Sequence, residues 1–373
     1  MKRFVQVFLV VMVVFGTMLV AQNMDEIKVA AVFSMTGGAS GYGRMTWEGV
    51  EIAWEMYPEV LGIPIDVYLI DTKSDKVEAA NGVRRAIEND GVLAILGNII
   101  SGNSLAGGAV AEELKTAMVS PTSTSPLVTE GKKFVNRVCF IDAFQGQAAA
   151  KLMQELGNQK VAVFMDVEQD YSVALARFFE DTFTQSGGEV LYEYFKTGDQ
   201  DFSAQVLDAI AKGAEAFYLP GYYQEVALIC LQAYQNGFYG DLVSADGADA
   251  PETVEIAGEA VEGLFLTANY HPDAPAFNEN AEEFLAAYEK KYPGEKPAAF
   301  AGLGFDAYMV LLKAIEMAGE PDREKVAQAI RQIKDFPGAT GYITINEQGN
   351  AEKTVTVVRI ENGQFVYDSM INP

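Results

Sequence analysis

From residue 27 onward, two kinds of segment alternate along the chain. Short runs that are apolar at nearly every position are separated by longer stretches in which apolar residues return every three or four positions. The first kind reads as strands buried on both faces, the second as helices covering a parallel sheet. Strands are expected at Ile27 to Phe33, Ile65 to Ile70, Val92 to Leu96 and Ala117 to Val119. One intervening helix shows its apolar face at Trp47, Val50, Ile52, Ala53 and Trp54, and another covers 76–89.

The rhythm restarts at Lys160, with strands at Val161 to Met165, Val190 to Phe195, 216–219, 241–244 and Val261 to Thr267. Helices are expected between them at Val173 to Phe183, 203–212 and 223–236. Three helical patterns then follow without strands (Ala276 to Tyr292, Ala298 to Ala318, Arg323 to Ile333), before β-type runs at 341–345, 353–360 and 364–367. Three helices in a row cannot form an α/β unit of their own, so they complete an earlier one. The expected fold class is α/β, with two doubly wound Rossmann-like lobes in series joined by a hinge that the chain crosses several times. The expected division gives 27–141 plus 269–348 to the first lobe and 142–268 plus 349–373 to the second.

Composition removes whole classes of function. The 27 basic and 52 acidic residues leave a net charge of −25, and so acidic a surface repels phosphate backbones. No nucleic-acid partner is expected. One histidine, His271, and two cysteines, Cys139 and Cys230, are too few for a zinc site of the His/Cys type. The cysteines fall in a strand-like and a helical run far apart in the chain, and are expected as buried free thiols.

The N-terminus has its own pattern. Lys2 and Arg3 precede an uncharged run from Val7 to Val20, and small Ala21 stands before polar Gln22. Basic start, apolar middle and small residue form the order of a secretory signal peptide over 1–21, and the run is shorter than the ~20 residues of a spanning helix. With no cysteine near the cut to carry a lipid, the expected address is a periplasm.

Catalytic signatures are weak. Gly41-Tyr42-Gly43 lacks the third glycine of a dinucleotide fingerprint, and neither a phosphate loop nor a GxSxG elbow occurs. His271 lies in a loop, and Asp246-Gly247-Ala248-Asp249 does not have calcium-loop spacing. The chain is read as a non-enzyme with no cofactor and no metal.

A binding site is sought beyond the C-terminal ends of the strands. In the first lobe these ends carry Ser34 to Gly43, Gly97 to Ser104 and Ser120 to Pro126, rich in hydroxyls, glycines and helix starts. In the second they carry Asp166 to Tyr171, Pro220 to Tyr223 and Ala245 to Gly247, rich in tyrosines and carboxylates. That asymmetry suits a zwitterion. A carboxylate is satisfied by hydroxyls and N–H groups at a helix start, and an ammonium by an acid, for which Asp246 is best placed.

These same segments, in this order, resemble the periplasmic leucine/isoleucine/valine-binding proteins, type I solute-binding proteins of ABC importers. The likeness runs through Ile27 to Phe33, Thr36 to Gly43, Gly97 to Ser101, Ser120 to Pro126, Asp170-Tyr171, Asp201 to Ser203, Pro220 to Tyr223, Asp246-Gly247 and Phe305 to Ala307. The resemblance implies that Ser101 and Thr124 bind the ligand α-carboxylate with help from Tyr222. It implies that the carbonyl of Ser123 and the side chains of Thr124 and Asp246 hold the α-ammonium. Tyr42, Ile99, Ile100 and Tyr171 then line the ligand side chain, with Phe300 as a neighbour suited to an aromatic one. The family usually has Glu where Asp246 stands, and Ser74 and Ile100 occupy the positions of a disulfide that some members carry. The implied function is capture of a small apolar amino acid, branched-chain or aromatic, by a monomer that delivers it to an ABC permease. The alternative is a sensor of the same fold for an amide, urea-like or aromatic acid ligand.

Overall fold

The computed structural model describes residues 25–274 and 278–371. The signal peptide expected over 1–21 lies outside the described residues. The first lobe opens with β1 (Ile27–Phe33), α1 (Ser40–Met56), β2 (Glu59–Val60), β3 (Ile63–Asp71), α2 (Lys76–Glu88), β4 (Ala94–Gly97), α3 (Ser101–Glu113), β5 (Ala117–Ser120) and β6 (Val135–Arg137). Its sheet has the order β2-β3-β1-β4-β5-β6, parallel except for the β2–β3 pair. β4 and β5 are buried at every position, as their unbroken apolar sequence requires.

The chain crosses into the second lobe with α4 (Asp142–Glu155), β7 (Lys160–Asp166), α5 (Asp170–Gln185), β8 (Glu189–Phe195), α6 (Ser203–Ala211), β9 (Ala216–Leu219), α7 (Tyr223–Gln235), β10 (Asp241–Ser244), α8 (Pro251–Ala257) and β11 (Phe265–Ala268). It returns for α9 (Glu279–Lys291), α10 (Ala299–Ala318), α11 (Arg323–Ile330), β12 (Phe336–Gly338), β13 (Gly341–Ile345) and β14 (Ala351–Glu352), and crosses again for β15 (Val355–Glu361) and β16 (Gln364–Ile371). The second sheet has the order β16-β15-β11-β10-β9-β7-β8, with β15 and β16 antiparallel. The two lobes of the expected α/β fold are present.

Four details differ from the sequence expectation. Helix α4 was not foreseen, being half alanine and glutamine on its buried side, a weak hydrophobic signal, and the strand-like run that holds Cys139 gives only the short β6, which ends at Arg137. The strand expected from Val261 begins at Phe265, because Gly258–Val261 is a 3₁₀ turn. Helix α9 begins at Glu279, where the Asn278 side chain caps the Ala281 N–H. Ala351–Glu352, which the expected boundary at 348/349 gives to the second lobe, pairs with β13.

The long α10 completes the first lobe as expected, lying against α1 in one continuous core that includes Val50, Ala53, Leu303 and Ala307. Glycine makes that approach possible. A Cβ on Gly49 would lie 1.7 Å from the Ala301 carbonyl oxygen, and one on Gly304 2.1 Å from that of Thr46. The second lobe has its own cores on the two faces of its sheet. Cys139 and Cys230 are buried and unpaired.

Three crossings join the lobes, and two polar ties hold them. The Phe140 N–H on the first donates to Asn269 Oδ1 on the second at 3.3 Å. At the third, the buried Lys353 ammonium lies 4.0 Å from Asp306 Oδ2 and donates to the Thr340 hydroxyl. Asp306 also accepts the N–H groups of Ala339 and Thr340.

Candidate functional site

The strand ends of the two lobes face each other across a cleft that is closed in this structure. At its rim Arg44 pairs with Glu252 at 3.0 Å and Lys76 with Asp170 at 3.3 Å, each pair spanning the lobes. Inside, the Tyr42 hydroxyl donates to the Gly247 carbonyl and accepts the Tyr223 N–H at 3.0 Å. Behind these contacts lies a cavity with about 250 Å³ of empty space. That figure counts all the space between the atoms, some of it open to solvent, so the fitting guest is small.

Eight of the nine residues singled out in the sequence line this cavity: Tyr42, Ile99, Ile100, Ser101, Thr124, Tyr171, Tyr222 and Asp246. Ser123 does not. Its carbonyl, expected to accept from an ammonium, is taken by Arg137 Nη1 at 2.6 Å, and its hydroxyl lies 2.6 Å from that of Ser104. The guanidinium of Arg137, itself fully buried, also donates to Ser125 O and Thr129, so it pulls the loop's carbonyls away from the cleft. Thr122 faces the cavity instead, its hydroxyl anchored on Ile99 O at 2.6 Å.

One wall is built from helix α3. Ser101 is its first residue, so the N–H groups of the first turn have no partner within the helix. Ser101 Oγ accepts the Ser125 N–H at 3.2 Å, which joins this helix start to the Ser120–Pro126 loop. The dipole of a 13-residue helix therefore ends on the cavity with its positive pole.

The opposite wall carries Asp246. Its Oδ1 accepts from Tyr171 at 2.7 Å and from Gln145 at 2.9 Å, while Oδ2 has only a long 3.4 Å contact with Asn269. No Lys or Arg stands within ion-pair distance among the described residues. Burial pushes the carboxyl up to about 6, against the Tyr171 and Gln145 hydrogen bonds that favour its charged form. The Tyr171 hydroxyl also accepts the Gly247 N–H at 2.9 Å. A Cβ on Gly247 would come within 2.5 Å of Gly221 O and 3.0 Å of that hydroxyl, so the turn closes only with glycine.

Between these polar walls the lining is aromatic. Tyr42 stacks on Phe300 with centroids 4.7 Å apart, and Tyr171 stacks on Tyr222 at 5.2 Å. The Tyr222 hydroxyl is buried without a partner. The first pair belongs to one lobe and the second to the other, so an apolar side chain between them touches both.

The sequence reading missed Asp142, Gln145, Asn269 and Thr122. Asp142 opens α4, and both of its carboxylate oxygens are buried without a hydrogen bond; the Thr124 hydroxyl lies beside it without the required geometry. Burial pushes this carboxyl well above its usual range, and its charge adds to that of Asp246. The unforeseen helix α4 hid both Asp142 and Gln145, since a helix start after the Phe140-Ile141 run was the signal that would have exposed them.

Comparison with known proteins gives the family. The periplasmic binding protein family matches the chain over residues 26–364. A leucine-, isoleucine-, valine-, threonine- and alanine-binding protein of Pseudomonas aeruginosa is 29% identical over 332 residues, covering 87% of each chain. The crystal structure of a leucine-binding protein of Thermotoga maritima is 53% identical and superimposes with a TM-score of 0.91, covering 93% of this chain and 99% of that one. A branched-chain amino acid transporter substrate-binding protein of Streptococcus pneumoniae, solved with isoleucine, is 27% identical with a TM-score of 0.87, covering 93% of this chain and 100% of that one. The chain therefore belongs to the periplasmic binding protein family, in its leucine/isoleucine/valine-binding branch.

Proposed function

We propose that this protein captures leucine or a similar apolar α-amino acid in the closed cleft and delivers it to an ABC permease from the periplasm. One observation carries the reading. A buried carboxylate without a cation, Asp246, and the N-terminal pole of α3 stand on opposite walls of one small aromatic cavity. A zwitterion supplies the missing partner to each: its carboxylate meets the N–H groups at Ser101 with the Thr124 and Tyr222 hydroxyls, and its ammonium meets Asp246.

The division of labour follows from the environment. The Tyr171 and Gln145 hydrogen bonds hold Asp246 in one orientation, leaving Oδ2 for the ammonium. Tyr42, Ile99, Ile100, Phe300 and Tyr171 surround the side chain, whose full burial is worth ~1.5–3 kcal/mol. Closure removes competing water and strengthens both charged contacts. The three crossings support a hinge, and domain closure is the kind of change by which a loaded protein is told from an empty one. The protein acts by binding, as a monomer, without a cofactor.

Of the amide, urea-like and aromatic acid ligands of the sensor alternative, an aromatic acid without an amine leaves Asp246 unpaired and is disfavoured. Calorimetric titration with leucine, isoleucine, valine, phenylalanine and benzoate tests the reading. Binding of benzoate with no response to any amino acid would overturn it.

A further inference from the structure

Asp246 has a counterpart on the far side of its own turn. Asp249, three residues on, donates its N–H to Asp246 O at 3.0 Å and lines a different space. This is a groove with about 1290 Å³ of empty volume, partly open to solvent. Its walls come from the second lobe (Asp249, Glu255, Phe365), from the first lobe ahead of α10 (Lys296) and from the crossing segment between them (Tyr270, His271). It is separate from the cleft cavity; the two share no lining residue.

The groove is short of positive charge. Asp249 is 7% exposed, and no hydrogen bond or ion pair reaches its carboxylate among the described residues. Burial, together with the charge of Asp246, pushes it up to about 7. Glu255 likewise has no ion-pair partner among the described residues. The one cation on the walls, Lys296, is held by Asp273 at 2.8 Å. The Tyr270 hydroxyl is buried without a partner. His271 supplies no charge: Nδ1 accepts the Asp273 N–H at 3.2 Å and Nε2 lies 3.2 Å from Phe365 O, the pattern of a neutral ring, which burial also favours. Three prolines, Val254 and the Tyr270 and Phe365 rings supply the apolar part of the lining, which also holds Gln364.

We infer that this groove is a second ligand site, for a small organic cation with an apolar body, such as an alkyl- or arylammonium ion. The ammonium pairs with Asp249 and Glu255, and the body lies on the Tyr270 and Phe365 rings. Because the walls belong to both lobes, an occupant bridges them and binds best when the cleft is closed.

The sole histidine makes the site observable. In the full chain saturated with leucine, which blocks the cleft, benzylammonium is titrated while the His271 ring signals are followed by NMR. The expected result is a saturable shift with a Kd in the ~mM range, weakened roughly tenfold by Asp249→Asn and several-fold by Glu255→Gln. Leucine affinity, measured in parallel, stays unchanged in Glu255→Gln, which separates this site from the cleft, and circular dichroism reports that both variants are folded. Removing leucine weakens benzylammonium. No saturable shift, a shift insensitive to both substitutions, or equal affinity with and without leucine would each overturn the inference.

Discussion

The Tyr42 hydroxyl and the Tyr223 N–H meet at 3.0 Å across the cleft, one residue from each lobe. The same hydroxyl donates to Gly247 O, in the turn that carries Asp246. One phenol therefore links the first lobe both to the start of α7 and to the acid expected to hold the ligand. It is fully buried, so both backbone groups depend on it for their partner.

Tyr42→Phe tests that link. It keeps the stack on Phe300 but leaves the Tyr223 N–H unsatisfied in the closed form, at a cost of ~1–3 kcal/mol. Leucine affinity should fall by about 5- to 150-fold, with faster dissociation in stopped-flow and little change in the unfolding midpoint of the empty protein. An unchanged dissociation rate would show that the bond does not hold the cleft shut.

Asp246→Asn keeps the shape of the site and removes its charge. Breaking a buried charged pair costs about 3–5 kcal/mol, so leucine binding should weaken by at least ~100-fold in calorimetry. Affinity within about threefold of the parent would remove Asp246 from the ammonium site.

The pH dependence of binding follows from the same carboxyl. In the closed cleft burial raises it to about 6. Ligand ammonium pairs with the ionised form, so binding above that value needs no proton release. Below it, each ligand must displace a proton, and affinity should drop by up to about tenfold per pH unit. Leucine titrations between about pH 7.5 and about pH 4.5 should show a plateau and then this fall, and Asp246→Asn should abolish the slope. A slope that survives the substitution would assign the proton to another group.

At the third crossing, Lys353→Met leaves Asp306 without its cation. Both side chains are almost wholly buried, at 2% and 0% exposure, so the substitution should cost about 3–5 kcal/mol of folding stability. Urea unfolding reads this as a lower midpoint with an unchanged slope. A midpoint equal to that of the parent would mean that the Ala339 and Thr340 N–H groups and the Thr340 hydroxyl, all donating to Asp306, suffice alone.

The sequence by itself determined the alternation of elements, because strands covered on both faces must be apolar throughout and their covering helices must be apolar on one side. It also pointed to the candidate site, since ligands of open α/β sheets bind beyond the C-terminal ends of the strands, where hydroxyls, glycines and acids collect here. Tertiary structure decided what each of those groups can do. Ser123 lost its carbonyl to Arg137, a residue fourteen positions away whose burial no local pattern announces. Asp142 and Gln145 joined the site through a helix start with little hydrophobic signature, and Asn269 through the crossing segment that follows β11. Asp246 and Asp249 look alike in a four-residue stretch, yet the turn sends one into the cleft and the other into the groove outside it. Spacing along the chain cannot express that difference, because it depends on which lobe closes over which side of the turn.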